Sequence, residues 1–590
     1  MKRIMNRRGP FGPASVLLLA LTCVGCTVTE SRREPPRLVL QITVDQLRGD
    51  LLRRHADQFG QGGFRYLLEH GTVFEDAHHR HANTETIVGH ATLSTGADPS
   101  AHGMVGNIWL DRSSGVLTYN IEDPDYHLLS ADADVDTKTE IDPTQRAARS
   151  DGRSPSRILV STFGDELFMF TAGAAKVFGV SVKDRGAVAM AGHAGKAFWF
   201  SKKSGEFVTS SYYYDEYPAW VADWNEKRPS TRWSGADWKL THPQETYLFG
   251  ERDDRPYETD LAGFGRTFPH PYGNADESKY YNTLLTVSPA GDELTLEFAK
   301  ELLEREDVGS DSVTDYLSVS FSSTDYVGHL FGPSSLESED NLLRLDRTIA
   351  DLLRFVDQKV GLDKTVIVLS ADHGGAEAPG YLNEQGLNRA QYIDLNALDR
   401  EPAIQALKTQ FGIGEEIVES YHHPYVYLDR ELLSKKGLDP TLIESLIAAE
   451  MTKMNGIALA VPSSRLTRGE LPDTPLTDKV LRNFNPKRSG DIYVVFESHS
   501  FINDMDGLSV ATTHGSPWTY DSYVPVIFVG AGIASRTVHR RIHTVDLAPT
   551  LSAVVGCKPP SGTSGRRLPE VLAGNSRNPP LPLTRPASER

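Results

Sequence analysis

Cysteine is almost absent from this chain: 3 occur in 590 residues. Cys23 and Cys26 sit in the N-terminal apolar segment, so Cys557 is the single thiol beyond it. No disulfide framework can be built from that, and a chain of this size must be held together by its core. Long apolar runs are missing as well. "ASVLLLALTCVG" is too short to cross a bilayer comfortably, and after the basic "MKRIMNRR" it reads as an export signal over residues 1–26. The segment ends in "VGC", with Cys26 where a bacterial lipoprotein cysteine would stand and Cys23 in the place where leucine is usual. Lipidation at Cys26 and plain cleavage into the periplasm both remain open. Basic charge is also scarce. The formal net charge is -18, which argues against broad binding to nucleic-acid polymers or anionic membranes. An anionic substrate would need positive charge concentrated locally, for example by metal ions. No internal repeat is evident, and the Pro-rich polar tail, residues 571–590, reads as disordered.

What the chain does have is a hydrophobic content of 39% and four apolar runs that end in chemistry. "RLVLQITVD" runs into Asp45, "DYLSVSFSSTD" into Asp325, and "KTVIVLSADH" into Asp372 and His373, while "VPVIFVG" follows His514. Val- and Ile-rich runs separated by helical segments read as buried parallel strands. Ligands of open α/β sheets bind beyond the carboxyl ends of such strands. A single Asp there is most simply a turn or N-cap residue. Three of them, with histidines nearby, point to a metal site. Asp45, Asp325, His329, Asp372, His373 and His514 are oxygen and imidazole donors suited to zinc. Six candidates are too many for one tetrahedral zinc with an open position, and they suit two ions sharing a substrate.

"HANTETIVGHATLSTG", His81 to Gly96, is crowded with hydroxyls and shows neither a helical nor a strand period. It is either a polar connection or the carrier of a nucleophile, and the residues alone leave both open.

The ordered set "VDQLRGD", "TETIVGHATLSTGADPSAHGMVGN", "SVKDRG", "SSTDYVGH", "SADHGG" and "THGSPW" resembles the alkaline phosphatase superfamily. It is most similar to the bacterial PafA-type alkaline phosphatases, whose nucleophile is threonine, and is related to the nucleotide pyrophosphatase/phosphodiesterases. The resemblance spans roughly residues 37–570. It implies an α/β core with a mostly parallel sheet flanked by helices, interrupted by cap insertions at roughly 111–282 and 376–504. It also implies an exported zinc-dependent phosphomonoesterase acting on small phosphate monoesters through a phosphothreonine. Carried over by motif, Thr86 is the nucleophile. Asp45, Asp372 and His373 bind one zinc together with the Thr86 oxygen, and Asp325, His329 and His514 bind the second. Asn107, Lys183 and Arg185 contact the phosphoryl group. If "SVKDRG" closes a strand, Lys183 and Arg185 share one face. A sulfatase is disfavoured, since no Cys- or Ser-x-Pro-x-Arg segment is present. A diesterase or nucleotide pyrophosphatase on the same core remains the alternative, with a non-catalytic binding protein behind it.

Other motifs are read as structural. His90 and His102 are expected to pack or hydrogen-bond near the site. His422 and His423 are adjacent in a strand and should face opposite ways. "AFWFSKKSGEFVTSSYYYDEYPAW" reads as an aromatic hairpin turning at "KKSGE". "SADADVDTKTE" lacks the glycine and terminal glutamate of a calcium loop and reads as a solvated loop.

Overall fold

Every residue of Leu38–Val44 (β1) is buried. A strand hidden on both faces belongs in the middle of a helix-covered sheet. The computed structural model, which describes residues 34–573 apart from 396, 397 and 506, places it there. In chain order the further strands of the two larger sheets are β2 (Thr72–Phe74), β3 (Val177–Ser181), β4 (Lys196–Phe200), β5 (Phe207–Val208), β6 (Asp315–Phe321) and β7 (Thr365–Ser370). Then come β8 (Val418–His422), β9 (Tyr425–Leu428), β10 (Ile457–Pro462) and β11 (Ile492–Phe496), followed by β12 (Val526–Gly530) and β13 (Arg536–Val538). The central sheet has 9 strands in the order β13-β2-β12-β7-β1-β6-β3-β4-β5. This is the mostly parallel α/β architecture that the sequence implies.

Register does the positioning. β1 pairs in parallel with β6 and β7, so Val44 lies opposite Phe321 and Thr43 opposite Ser370. The three strands therefore end level, and the acids that follow them emerge along one edge. The fourth apolar run departs from expectation: β12 is antiparallel to both β7 and β2. His514 already lies at the carboxyl edge, and the short link to Val526 has no room for the crossover of about a dozen residues that a parallel strand needs. The strand must run back the other way.

The hydroxyl-rich stretch is also corrected. Thr86–Thr95 is a helix (α1), and all 10 of its residues are buried. A helix enclosed on every side has no apolar stripe, so periodicity could not reveal it. Gly96 ends it in the left-handed conformation at φ 64°. Further helices that matter to the site are α2 (Asp184–Ala191), α3 (Ser323–Phe331) and α4 (Leu336–Lys359). The amphipathic α4 lays Leu342, Leu345, Ile349, Leu352 and Val356 into the main core.

Of the expected insertion 111–282, residues 177–208 instead supply β3, β4 and β5 to the central sheet. The aromatic hairpin is present as β4 against β5. Within 376–504 a separate sheet of 4 strands forms in the order β8-β9-β11-β10. Its strands alternate. Val426, Leu428, Ile492 and Val494 face a core of their own with Ile404 and Ile447. Tyr425, Tyr427, Tyr493 and Val495 face the cluster that contains Val88 and Ala91 of α1. The export segment with Cys26 lies outside the described residues, as does most of the expected tail, although the short helix Pro569–Leu572 runs into it.

One glycine lets α1 dock on the strand edge. A Cβ at Gly89 would stand 2.0 Å from the carbonyl oxygen of Asp372. Gly89→Ala improves intrinsic helix propensity by about 1 kcal/mol. It is nonetheless expected to destabilise the protein by about 1–3 kcal/mol, because the backbone of Asp372 would have to yield. A denaturant titration at fixed metal content checks this; equal or higher stability would refute the close contact.

Candidate active site

Asp45 follows β1 directly, Asp372 and His373 follow β7, and Asp325 sits in the first turn of α3 with His329 one turn later. His514 comes from the loop before β12. The structure brings all six to the carboxyl edge of the sheet. Asp325 Oδ1 is 3.3 Å from Nε2 of both His329 and His514. His373 Nε2 is 3.4 Å from Asp45 Oδ1 and 3.4 Å from Asp372 Oδ2.

The imidazoles are oriented for ligation. His329 Nδ1 donates to Thr512 O at 2.9 Å, His373 Nδ1 to Gly374 O at 2.9 Å, and His514 Nδ1 to Thr84 O at 2.8 Å. Backbone carbonyls can only accept, so each ring carries a proton on Nδ1 and presents Nε2 to the carboxylates. Burial lowers His514, but its bond to Asp325 outweighs that and raises the ring to about 9, so without a cation its Nε2 is protonated as well. Burial pushes His373 down to about 3, which keeps that ring neutral. His373 Nε2 and Asp45 Oδ1 are buried without a hydrogen-bond partner. Orphaned polar atoms of this kind are costly unless something binds them. The donor set therefore fits a metal cofactor.

Two groups have ligand atoms close enough for one ion: Asp325, His329 and His514; and Asp45, Asp325 and His373. The second differs from the expected grouping of Asp45, Asp372 and His373. Asp372 turns Oδ1 to the amide groups of Gln46 at 3.2 Å and His373 at 3.0 Å, leaving Oδ2 beside the His373 ring. Burial and the neighbouring Asp372 raise the Asp45 carboxyl well above the usual range. Without cations this edge holds more negative charge than it can stabilise.

The basic pair is arranged differently from the strand-end reading. β3 stops at Ser181, Lys183 is the N-cap of α2, and Arg185 lies in that helix's first turn. Both are buried, which excludes a solvated turn. Lys183 Nζ lies 2.8 Å from Asp45 Oδ2 and 2.5 Å from Asp325 Oδ2. Burial alone would discharge it, but Asp325 and Asp45 outweigh that and hold the ammonium above the usual lysine range. Arg185 Nη1 pairs with Asp142 Oδ2 at 2.7 Å, while Nη2 is 3.5 Å from Thr86 Oγ1.

Thr86 is the first residue of α1, at the positive end of the helix. Ile87 N donates to Asn107 Oδ1 at 3.2 Å, which leaves the amide NH2 of Asn107 as its free end for a ligand. His90 donates from Nδ1 to Thr86 O at 2.8 Å and lies 3.1 Å from Asp372 Oδ2. His102 accepts from Met104 N at 3.1 Å and bonds Thr92. Both play the packing and bonding parts expected of them.

Sequence reasoning missed two residues. Gln46 donates to Asp325 Oδ1 at 2.8 Å from a backbone with φ 66°, an uncommon conformation for glutamine. Its only sequence signal is its place after Asp45. Asp142 follows the loop read as solvated. That loop ends buried, with Glu140 bonded to Lys202 at 2.5 Å.

A family model described as type I phosphodiesterase / nucleotide pyrophosphatase matches residues 39–517. Alkaline phosphatase PafA of Elizabethkingia meningoseptica is 33% identical over 91% of this chain and 94% of that protein. Alkaline phosphatase PhoV of Synechococcus elongatus is 31% identical over 91% and 93%. A Myroides odoratus protein named calcium-transporting ATPase is 32% identical over 95% and 99%. Among the described residues no helix is long and apolar enough to cross a membrane. The crystal structure of wild-type PafA aligns with a TM-score of 0.82 at 32% identity, covering 91% of this chain and 99% of that one. Matched in family, in fold and along nearly its whole length, the chain belongs to the type I phosphodiesterase / nucleotide pyrophosphatase family as a PafA-like phosphoester hydrolase of the alkaline phosphatase superfamily.

Proposed function

We propose that the protein is an exported alkaline phosphatase that hydrolyses small phosphate monoesters, with Thr86 as nucleophile and two zinc ions as cofactors. The observation that carries this reading is the buried guanidinium of Arg185, 3.5 Å from Thr86 Oγ1, beside the ammonium of Lys183. Asp45, Asp372 and His373 with the Thr86 oxygen would hold one ion, and Asp325, His329 and His514 the other. Bound zinc would supply Lewis acidity and positive charge where carboxylates otherwise dominate.

Thr86 Oγ attacks phosphorus in line with the leaving oxygen, which departs with the organic group. The product on the protein is a phosphothreonine. Water then attacks from the side the leaving group vacated, and inorganic phosphate is released with Thr86 restored. The transition state is loose, so the protein contributes mainly position and charge. With Thr86 as the first residue of α1, the transferred group would sit at the positive end of the helix dipole. Arg185, Lys183 and the Asn107 amide offer donors to its oxygens. The lobe formed by β8–β11 acts as a cap beside the site. The basic, short apolar N-terminus supports export to the periplasm or beyond, with Cys26 as the point of lipid attachment if it is acylated.

The family match also includes diesterases, and the placement of the two buried cations separates the two readings. Two dications against Asp45, Asp325, Asp372 and a Thr86 alkoxide leave about no net charge, Lys183 and Arg185 add two, and Asp142 removes one, for about plus one in all. A net charge near plus one attracts either anion; what favours the monoester is the placement of Lys183 and Arg185 beside Thr86, where they can grip phosphoryl oxygens. A diester also carries a second organic group in place of one oxygen that the cations would grip.

Thr86→Ala is expected to keep its metal and lose on the order of 10^3-fold or more in turnover. Elemental analysis and steady-state rates check both halves, and near wild-type turnover would move the nucleophile to another hydroxyl, Thr84 first. Chelation should abolish activity and zinc should restore it better than magnesium, because His329, His373 and His514 suit zinc. Full activity in a preparation shown to be metal-free would end the metal reading. Lys183→Ala and Arg185→Ala should each lower monoester kcat/KM much more than diester kcat/KM, with Arg185→Lys rescuing only in part for want of a bidentate fork. Equal losses on both substrates, or a wild-type preference for diesters, would reassign the enzyme to the diesterases.

A further inference from the structure

We infer that His423, backed by Tyr421, is a positioning residue that holds the loop bearing His514, which makes the lobe formed by β8–β11 a working part of the site. The inference rests on the assignment of His514 as a metal ligand proposed above.

His423 stands just beyond β8, and its two ring nitrogens are both engaged. Nε2 is 2.9 Å from Gly515 O, and Nδ1 is 2.8 Å from the Tyr421 hydroxyl. A carbonyl oxygen only accepts, so Nε2 must carry the proton. Nδ1 is then the lone pair, and the Tyr421 hydroxyl donates into it. The pair fixes one tautomer and one ring orientation. His422, by contrast, meets the ring of Tyr427, at 5.9 Å between centroids, and makes no such bridge.

The bond falls on the carbonyl of Gly515, the residue after His514. From the other side that loop is held by Thr84: Gly515 N donates to Thr84 Oγ1 at 3.2 Å, Thr84 Oγ1 donates to Ser516 O at 3.0 Å, and Thr84 O accepts from His514 Nδ1 at 2.8 Å. Thr84 lies two residues before the proposed nucleophile. The His514 loop is thus clamped between the segment leading into α1 and the lobe. Glycine at 515 is required twice. Its φ of 105° is a region other residues avoid, and a Cβ there would come within 2.8 Å of His423 Nε2. The lobe adds a second tie, with Trp518 Nε1 donating to Phe496 O at 3.0 Å while the His423 ring stacks on Phe496 at 5.9 Å. Partners that fix the backbone around a ligating histidine set how long its ring stays in register with the ion.

The test loads the full-length protein with zinc, confirms the content by elemental analysis, and follows zinc release to excess chelator. His423→Phe keeps the contact with Phe496 but has no donor. It should release zinc on the order of tenfold faster while its circular dichroism matches wild type. His423→Gln, whose amide can donate to Gly515 O, should restore most of the retention. Release from His423→Phe at the wild-type rate, or no rescue by His423→Gln, overturns the inference. Should His423→Phe fail to fold, Tyr421→Phe takes its place, with release expected a few-fold faster and an unchanged rate refuting the clamp. 15N spectra of histidine-labelled wild type should show His423 protonated on Nε2; a proton on Nδ1 overturns the assignment. His514→Ala is the control for the underlying reading. If it keeps the full zinc complement, the ligand assignment of His514 fails and the inference fails with it; if it loses zinc while His423→Phe does not, the inference alone is wrong.

Discussion

Three buried carboxylates, Asp45, Asp325 and Asp372, crowd the carboxyl edge of the sheet, and Lys183 is the cation in contact with two of them. Buried charge is tolerated only when paired and hydrogen-bonded. Most of what surrounds this edge can be understood as a response to that constraint. Lys183 spans Asp45 and Asp325, Gln46 adopts an uncommon backbone conformation to donate to Asp325, and three imidazoles turn Nε2 inward. The charge that remains is what makes the site a place for cations and, once they are bound, for a phosphoryl group.

The nucleophile's setting follows from close packing. α1 is buried all round, so its polar side chains bond within the helix or to its neighbours: Thr92 and Thr95 return to their own helix's carbonyls, and His90 bridges to Ser320 on β6. Gly89 lets the helix lie directly on the backbone of Asp372. Thr86 is thereby fixed relative to the strand end rather than carried on a mobile loop, which suits chemistry that depends on position.

Charge on the phosphate side is held from further away. Asp142, from a segment without a recognisable motif, fixes Arg185, and Asp184 pairs with Arg153 at 2.8 Å and accepts from Tyr119 at 2.6 Å. These buried pairs anchor the start of α2 and, with it, the direction of the guanidinium. Glu140 and Lys202 extend the same layer to Tyr326, whose ring lies under both Lys183 and Lys202.

The sequence by itself determined the α/β class and the acids at strand ends, because a fully buried strand must be apolar along its length and a polar residue after it must leave the sheet. It also determined the superfamily, since the motifs recur in order. The tertiary structure alone decided the rest. Strand direction at β12 depends on where the chain re-enters the sheet. The helical state of Thr86–Thr95 was hidden because complete burial erases periodicity. Lys183 and Arg185 were legible as a pair but not as an N-cap and a first helical turn, since the strand ends at Ser181, before either of them. Gln46 and Asp142 carry no motif of their own, and His423, visible beside His422, gives no sign of its partner. Each is defined by what it touches in a distant part of the chain, and such contacts exist only once the fold has brought those segments together.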